Sequence, residues 1–112
     1  EALYFLAYGR SFQSRLLQRI IRYGETNLSL FGVVQTDAEL PLHIGIAKSL
    51  HEGSQIRVNG KNILNASELV KQMPMQLIHP ESFHLLTGGA QPRRQFLDWG
   101  LFHVEPEFHD LW

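Results

Sequence analysis

Hydrophobic and polar residues alternate with a period of two through the middle of the chain, which is the pattern of β-strands with one buried face. The aliphatic positions of one face are Leu28, Leu30, Val34, Leu42, Ile44 and Ile46. Asn59-Gly60 within QIRVNGKNIL is a strong hairpin signal, because both residues accept a positive φ. We expect antiparallel strands between residues 28 and 64, with helices flanking them and covering one face.

The segment before the strands predicts a short amphipathic helix. Ser14 can cap its start and Gly24 its end, which leaves about two turns between them. Its leucines and isoleucines face inward at helical spacing. The opposite side, which we call the arginine face, comprises Arg15, Arg19 and Arg22. This basic face is a candidate surface for contacts with nucleic-acid phosphates.

Shorter elements are predicted after the strands. NASELVKQM predicts a helix capped by Asn65, and MQLI (75–78) predicts a short buried strand. HPESFHLL predicts a short helix with Pro80 at its first position. The last predicted helix begins at Pro92, since proline loses no hydrogen bond at the first helical position. Together these elements describe an α+β arrangement.

Arg93 and Arg94 fall in the first turn of this last helix, where the positive end of the helix dipole disfavours cations. Local rules leave two explanations open. The arginines and the exposed backbone N–H groups form an anion site, or an acid such as Glu81 or Asp98 neutralises the arginines within the fold. Departures from local rules of this kind tend to occur at functional sites.

Composition limits the possible functions. A chain of 112 residues, 44% of them hydrophobic, is sufficient for one packed domain. The net charge is −1, but residues 1–24 carry four Arg and one Glu, whereas residues 95–112 carry four acids and no Lys or Arg. The absence of cysteine excludes disulfides and thiolate zinc sites and fits a reducing compartment such as the cytoplasm. No apolar run approaches the roughly 20 residues of a membrane span.

No complete catalytic or metal-binding set is present. The pairs His79/His84 and His103/His109 are five and six residues apart, whereas two metal ligands on one helix need a spacing near i, i+4. GGAQPRR lacks the G-x-x-x-x-G-K-[ST] pattern of a phosphate loop, and no G-x-S-x-G motif surrounds Ser82. The chain begins without Met and both its ends are uncapped, which we interpret as an internal piece of a longer protein.

Two segments of the chain resemble the RecF family of bacterial DNA replication and repair ATPases. They are RSFQS and MPMQLIHPESFHLLTGGAQPRRQFLDWGLFHVEP, and the resemblance extends through the strands between them. Its most specific part is P-E-x-F followed, after a gap, by G-x-x-x-R-R-x-F-L-D. The matching residues are Pro80, Glu81, Phe83, Gly89, Arg93, Arg94, Phe96, Leu97 and Asp98.

The resemblance implies that the chain is an α+β fragment of an α/β P-loop NTPase related to the heads of ABC and SMC proteins. Residues 1–91 would belong to the nucleotide-binding lobe, and residues 92–112 would begin a helical second lobe. The family's Walker A, signature and Walker B motifs would lie outside these 112 residues. The fragment alone is therefore expected to be no enzyme and to bind no cofactor or metal.

Family members bind ATP with Mg²⁺, form an ATP-dependent homodimer and bind DNA. They act with RecO and RecR to help load the RecA recombinase at gaps, in DNA recombination and the SOS response, so the resemblance implies these partners and a weak DNA-dependent ATPase for the intact parent. Candidate nucleotide, anion or interlobe contacts are Arg93, Arg94, Glu81 and Arg10. Gln13 departs from many family members, which have Arg here. Gln13 cannot replace that charge, although Arg10 or Arg15 could. The alternative is a self-contained nucleic-acid-binding or protein-interaction module that uses the arginine face.

Overall fold

The computed structural model describes residues 1–35, 37, 40–105 and 107–108, and the chain divides into two units, Glu1–Met75 and Gln76–Trp112. The elements of the first unit are α1 (Ala2–Tyr8), β1 (Asn27–Val34), β2 (Leu42–Ser49), β3 (Gly53–Val58), β4 (Lys61–Ile63) and α2 (Ser67–Gln72). Those of the second unit are a 3₁₀ helix (Pro80–Phe83), α3 (His84–Thr87) and α4 (Ala90–Val104).

The centre of the first unit is an antiparallel sheet with strand order β1-β2-β3-β4. Each strand pairs with the next one along the chain, so that Leu30, Ile46 and Ile56 lie opposite one another on neighbouring strands. Asn59 and Gly60, with φ angles of 48° and 79°, form the two-residue turn between β3 and β4. The predicted antiparallel strands and hairpin are confirmed.

Helices α1 and α2 cover the inward face of this sheet. The hydrophobic core of buried side chains consists of Phe5, Leu6, Leu42, Ile44, Ile46 and Leu69. These residues come from α1, β2 and α2, and each contributes about 1.5–3 kcal/mol through removal of its apolar surface from water. The inward positions predicted from the alternation in β1 and β2 pack in or against this core.

The α-helix predicted between Ser14 and Gly24 is wrong. Only Leu17–Arg19 is helical there, as a single 3₁₀ turn. The Ser14 hydroxyl accepts a hydrogen bond from the N–H of Leu16 at 3.1 Å, which closes a local turn instead of capping a helix. Of the apolar residues in this segment only Ile21 is buried, so packing gives too little support to two turns of helix.

The short strand predicted at residues 75–78 is also wrong. Half-buried and exposed side chains alternate there, but residues 74–79 join no ladder with another strand of the described chain. A strand is defined by its partner, which a local pattern does not specify. The short helix predicted from Pro80 is confirmed as the 3₁₀ helix and α3, whereas α4 begins at Ala90, two residues before its predicted start at Pro92.

The expected division into lobes at residues 91 and 92 stays a prediction, and the two units of the structure divide after Met75. Residue 106 and residues 109–112 of the expected second lobe lie outside the described residues. Across the part of the chain that the structure describes, no helix has the length and apolar character needed to cross a membrane.

Candidate functional site

Arg93 binds the end of the helix that precedes its own. Its Nε donates a hydrogen bond to the carbonyl oxygen of Leu85 at 3.3 Å, and its Nη2 donates one to that of Leu86 at 3.0 Å. Both carbonyls lie in the last turn of α3, where helical N–H partners are lacking and a cation is favoured by the helix dipole. Arg93 therefore fixes the corner between α3 and α4.

Gly88 provides the space that this corner needs. Its N–H donates a hydrogen bond to the carbonyl oxygen of His84 at 2.7 Å. A β-carbon on Gly88 would lie 2.4 Å from that oxygen and 3.2 Å from Cγ of Pro92. The φ angle of Gly88 is −75°, which any residue adopts, so the requirement for glycine is steric.

Arg94 has a different environment from Arg93. It is exposed, and its side chain forms no hydrogen bond or ion pair with the described residues. Since α4 begins at Ala90 with Gly89 as its N-cap, the two arginines occupy the fourth and fifth helical positions. The repulsion by the helix dipole is weaker there than in the first turn, where the sequence placed them. The guanidinium of Arg94 is open to an anion from outside the second unit.

Neither acid considered as an internal partner pairs with these arginines. Glu81 lies exposed in the first turn of the 3₁₀ helix, and Asp98 is half-buried in α4. No hydrogen bond or ion pair joins either carboxylate to the described residues of the second unit. Arg93 thus binds backbone carbonyl groups. The two explanations from the sequence had considered only an anion or a carboxylate as its partner.

The other predicted basic residues lie in the first unit. Arg10, just after α1, is exposed, and so is Gln13. All three members of the arginine face are exposed as well, but the single 3₁₀ turn does not align them as one helical surface. The three arginines are therefore separate charges on the surface of the first unit, and they do not form the single helical face that the sequence predicted.

The histidines form no metal site among the residues that the structure describes, which contain no group of three or more potential ligands. The Nε2 of His103 is buried and has no hydrogen-bond partner among the described residues. Burial lowers the pKa of His103. The rings of Trp99 and Phe102 lie 4.9 and 5.4 Å from its ring centroid, so His103 is part of an aromatic cluster.

Lys48 is a residue that sequence reasoning missed. It lies on the inward side of β2, where its Nζ donates a hydrogen bond to the carbonyl oxygen of Gly9 at 2.6 Å. The same Nζ lies 5.2 Å from the centroid of the Phe5 ring. Burial lowers the pKa of Lys48. The signal in the sequence was a lysine at the fourth inward position of β2, after three buried aliphatic residues.

Comparison with curated proteins gives matches over all 112 residues. The chain is 45% identical to the DNA replication and repair protein RecF of Aliivibrio fischeri (strain ATCC 700601 / ES114) and 43% identical to that of Pseudomonas aeruginosa (strain LESB58). It covers 31% and 30% of these two proteins, and so spans about a third of their length. No protein-family model matches the chain.

Solved structures show the same fold. The structure of the recombination mediator protein RecF-ATP in the RecFOR pathway has a TM-score of 0.80 and 23% sequence identity to this chain. The match covers 99% of this chain and 30% of that one. A structure of RecF-ATPrS in the same pathway has a TM-score of 0.79. The four-stranded antiparallel sheet with its flanking helices is therefore the fold of one part of these proteins.

Proposed function

Because the chain belongs to the RecF family, we propose that it forms part of the ATP-binding lobe of a bacterial DNA replication and repair protein. The observation that carries the proposal is the 45% identity to a RecF protein over all 112 residues. The likeness to the fold of RecF-ATP supports a nucleotide site in the intact protein. The RecFOR pathway named for that structure supports RecO and RecR as partners.

In this proposal ATP and Mg²⁺ bind at motifs outside the 112 residues, which contain no G-x-x-x-x-G-K-[ST] pattern. The chain alone is then no enzyme. The intact protein, a weak DNA-dependent ATPase in the cytoplasm, dimerises around ATP, binds DNA and helps to load a recombinase at gaps in DNA recombination.

Within this chain we assign the anion contact to Arg94. Its guanidinium is exposed and has no partner among the described residues, and it adjoins the corner that Arg93 and Gly88 hold in shape. The anion is a nucleotide phosphate or an acid of another lobe or subunit. Glu81 and Arg10, which are exposed and have no described partner either, are further candidates for nucleotide or interlobe contacts.

The test compares the two arginines in the intact protein. Arg94→Ala should weaken ATP-dependent dimerisation or DNA binding about tenfold or more, because a charge-assisted hydrogen bond contributes roughly 1.5–3 kcal/mol. Its unfolding free energy should stay within about 0.5 kcal/mol of the wild-type value. Arg93→Ala should lower the unfolding free energy by about 1–2 kcal/mol, since two hydrogen bonds to helix-end carbonyls are lost.

Sedimentation with and without ATP, DNA titrations and thermal melts measure these effects. A large loss of stability in Arg94→Ala with normal ligand responses would show that Arg94 serves the fold and binds no external anion. An intact wild-type protein that neither dimerises with ATP nor binds DNA would refute the proposed function itself.

A further inference from the structure

The face of the sheet opposite the core carries a row of side chains with a gap in its middle. Strand pairing aligns Phe31 on β1, Gly45 on β2, Arg57 on β3 and Asn62 on β4. Phe31 is 69% exposed, and Gly45 presents no side chain between Phe31 and Arg57. Two strand spacings separate the backbones of Phe31 and Arg57 by about 9–10 Å. The Phe31 ring leans towards Gly45, and its Cδ2 lies 4.0 Å from the position that a β-carbon on Gly45 would take.

Arg57 is held by a hydrogen bond on its β4 side, away from Gly45. Its Nε donates a hydrogen bond to Oδ1 of Asn62 at 3.0 Å, and Nε2 of Gln55 donates to the same oxygen at 3.5 Å. The two Nη groups of Arg57 have no partner in the described chain. A guanidinium fixed in this way can stack on a planar ring and donate hydrogen bonds from its free edge.

The surroundings of the gap favour an electron-rich or anionic ligand. A cavity of about 340 Å³ lies over it, and its lining also includes Ser29, His43 and Ala47. The His43 ring lies 5.9 Å from the ring of Phe31. No acidic residue lines the cavity, and none of the four strands contains Asp or Glu. A phosphate backbone that crosses these strands therefore meets no carboxylate from them.

We infer that Phe31, Gly45, Arg57 and Asn62, which we name the Phe31–Arg57 slot, bind a base of single-stranded nucleic acid. The base lies over Gly45, between the Phe31 ring and the Arg57 guanidinium. Exposed aromatic rings and arginine planes on a sheet, with neutral amides beside them, are the means by which proteins hold single strands without sequence preference. Duplex DNA is excluded, because the faces of its bases are covered by their neighbours.

A protein partner fits this surface less well. The exposed large apolar side chains of the face are only Phe31 and Val33 in the described chain, and the remaining positions are small or polar. The centre of a protein–protein interface is more apolar than this. The inference rests on the proposed DNA-binding function. It assigns the binding of single-stranded nucleic acid to the face of the sheet opposite the core.

The test uses the intact protein and a fluorescein-labelled oligothymidylate of about 15 nucleotides, followed by anisotropy over a range of salt concentrations. Phe31→Leu keeps an apolar side chain but removes the stacking ring, and should weaken binding about fivefold or more at every salt concentration. Arg57→Gln should weaken binding and also reduce the slope of log K against log salt by about 0.7. Val33→Ala, on the same face but outside the slot, is the matched control and should change affinity less than about twofold.

Phe31→Trp supplies a readout that does not depend on loss of function. It should keep the affinity, and the added tryptophan fluorescence should be quenched when the oligothymidylate binds, since the base stacks on the new ring. Absence of quenching, or less than about a twofold loss in both Phe31→Leu and Arg57→Gln, would overturn the inference. Variants that lose dimerisation or another protein contact but bind the oligothymidylate normally would identify a protein occupant and overturn it too.

Duplex DNA of equal length, with ATP, separates this inference from the proposed function. Slot variants that bind duplex as the wild type does, and single strands more weakly, support the slot. If the wild type binds duplex and the slot variants also bind single strands normally, only the slot is rejected. If the wild type binds neither form of DNA, the proposed function fails as well.

Discussion

Lys48 joins α1 to the sheet through one side chain. Gly9 ends α1 in the left-handed conformation with a φ of 65° and is buried, so its carbonyl oxygen has little access to water. The ammonium of Lys48 supplies the missing donor, and the helix dipole favours a cation at this end of α1. Desolvation opposes the charge and lowers the pKa of Lys48, while the carbonyl and the Phe5 ring favour the charged form. The contact matters because it satisfies a buried carbonyl.

Replacing Lys48 with Met should therefore destabilise the fold although it removes a desolvated charge. We expect a loss of about 1–3 kcal/mol in the free energy of unfolding, which is the cost of leaving a buried acceptor unpaired. Urea titration of the intact protein measures it. Lys61→Met, at an exposed lysine of β4, is the matched control and should stay within about 0.5 kcal/mol of the wild-type value.

The pH dependence gives a second measure of the same residue. The pKa of Lys48 is 10.5 in the unfolded chain and lower in the folded one, so between these two values the unfolded state binds more protons. The wild type should then gain stability relative to Lys48→Met as the pH rises through this window towards 10.5. Equal urea midpoints for the two proteins, or a difference that shrinks over this window, would contradict the assigned role.

The corner between α3 and α4 depends on the space at one glycine. Gly88→Ala places a β-carbon 2.4 Å from the backbone oxygen of His84, which can move only with the helix. We expect a loss of roughly 1–3 kcal/mol in unfolding free energy, together with the loss of the Arg93 contacts. Gly89→Ala is the neighbouring control, because no atom lies within 4 Å of its β-carbon and its φ is −69°. It should change stability by less than about 1 kcal/mol. Equal urea midpoints for the two variants would show that a β-carbon at Gly88 causes no destabilising clash.

The elements that the sequence predicted correctly are those whose cause is local. In β2, alternation alone separates buried Leu42, Ile44 and Ile46 from the less buried residues between them, because successive side chains of a strand point to opposite faces. The Asn59-Gly60 turn was also predictable from the local sequence, since its positive φ angles follow from residue type.

The incorrect elements depend on distant contacts. Residues 75–78 have the composition of a buried strand but no partner strand in the described chain. The apolar residues between Ser14 and Gly24 have helical spacing, but burial of Ile21 alone does not stabilise a helix. At the candidate site, Arg93 meets carbonyls seven and eight residues earlier. Sequence reasoning considered only charged partners there, because nothing local places α3 against that guanidinium.

At the scale of the whole molecule, the two units differ in how much they bury. The first has a core that links two helices to a sheet, whereas no described residue of the second is buried. Leu86, Leu97 and Val104 in the second unit are 69%, 63% and 72% exposed. A helix with so little burial gains little stability from packing. The second unit is therefore the less stable part of the chain as described.

The isolated 112-residue chain should show no saturable binding of ATP and no ATP hydrolysis, whereas the intact protein should show both. Nucleotide phosphates and Mg²⁺ are held in P-loop enzymes by backbone N–H groups, a lysine and a hydroxyl of the G-x-x-x-x-G-K-[ST] loop, and this motif is missing from the chain. Arg94 and Arg10 add positive charge, but two exposed guanidinium groups without a phosphate loop do not form a triphosphate site. Calorimetric titration of both proteins with ATP, followed by competition with ADP, measures the difference. A saturable heat from the isolated chain that ADP reverses would show that the nucleotide contacts lie within these residues and would place Arg94 among them.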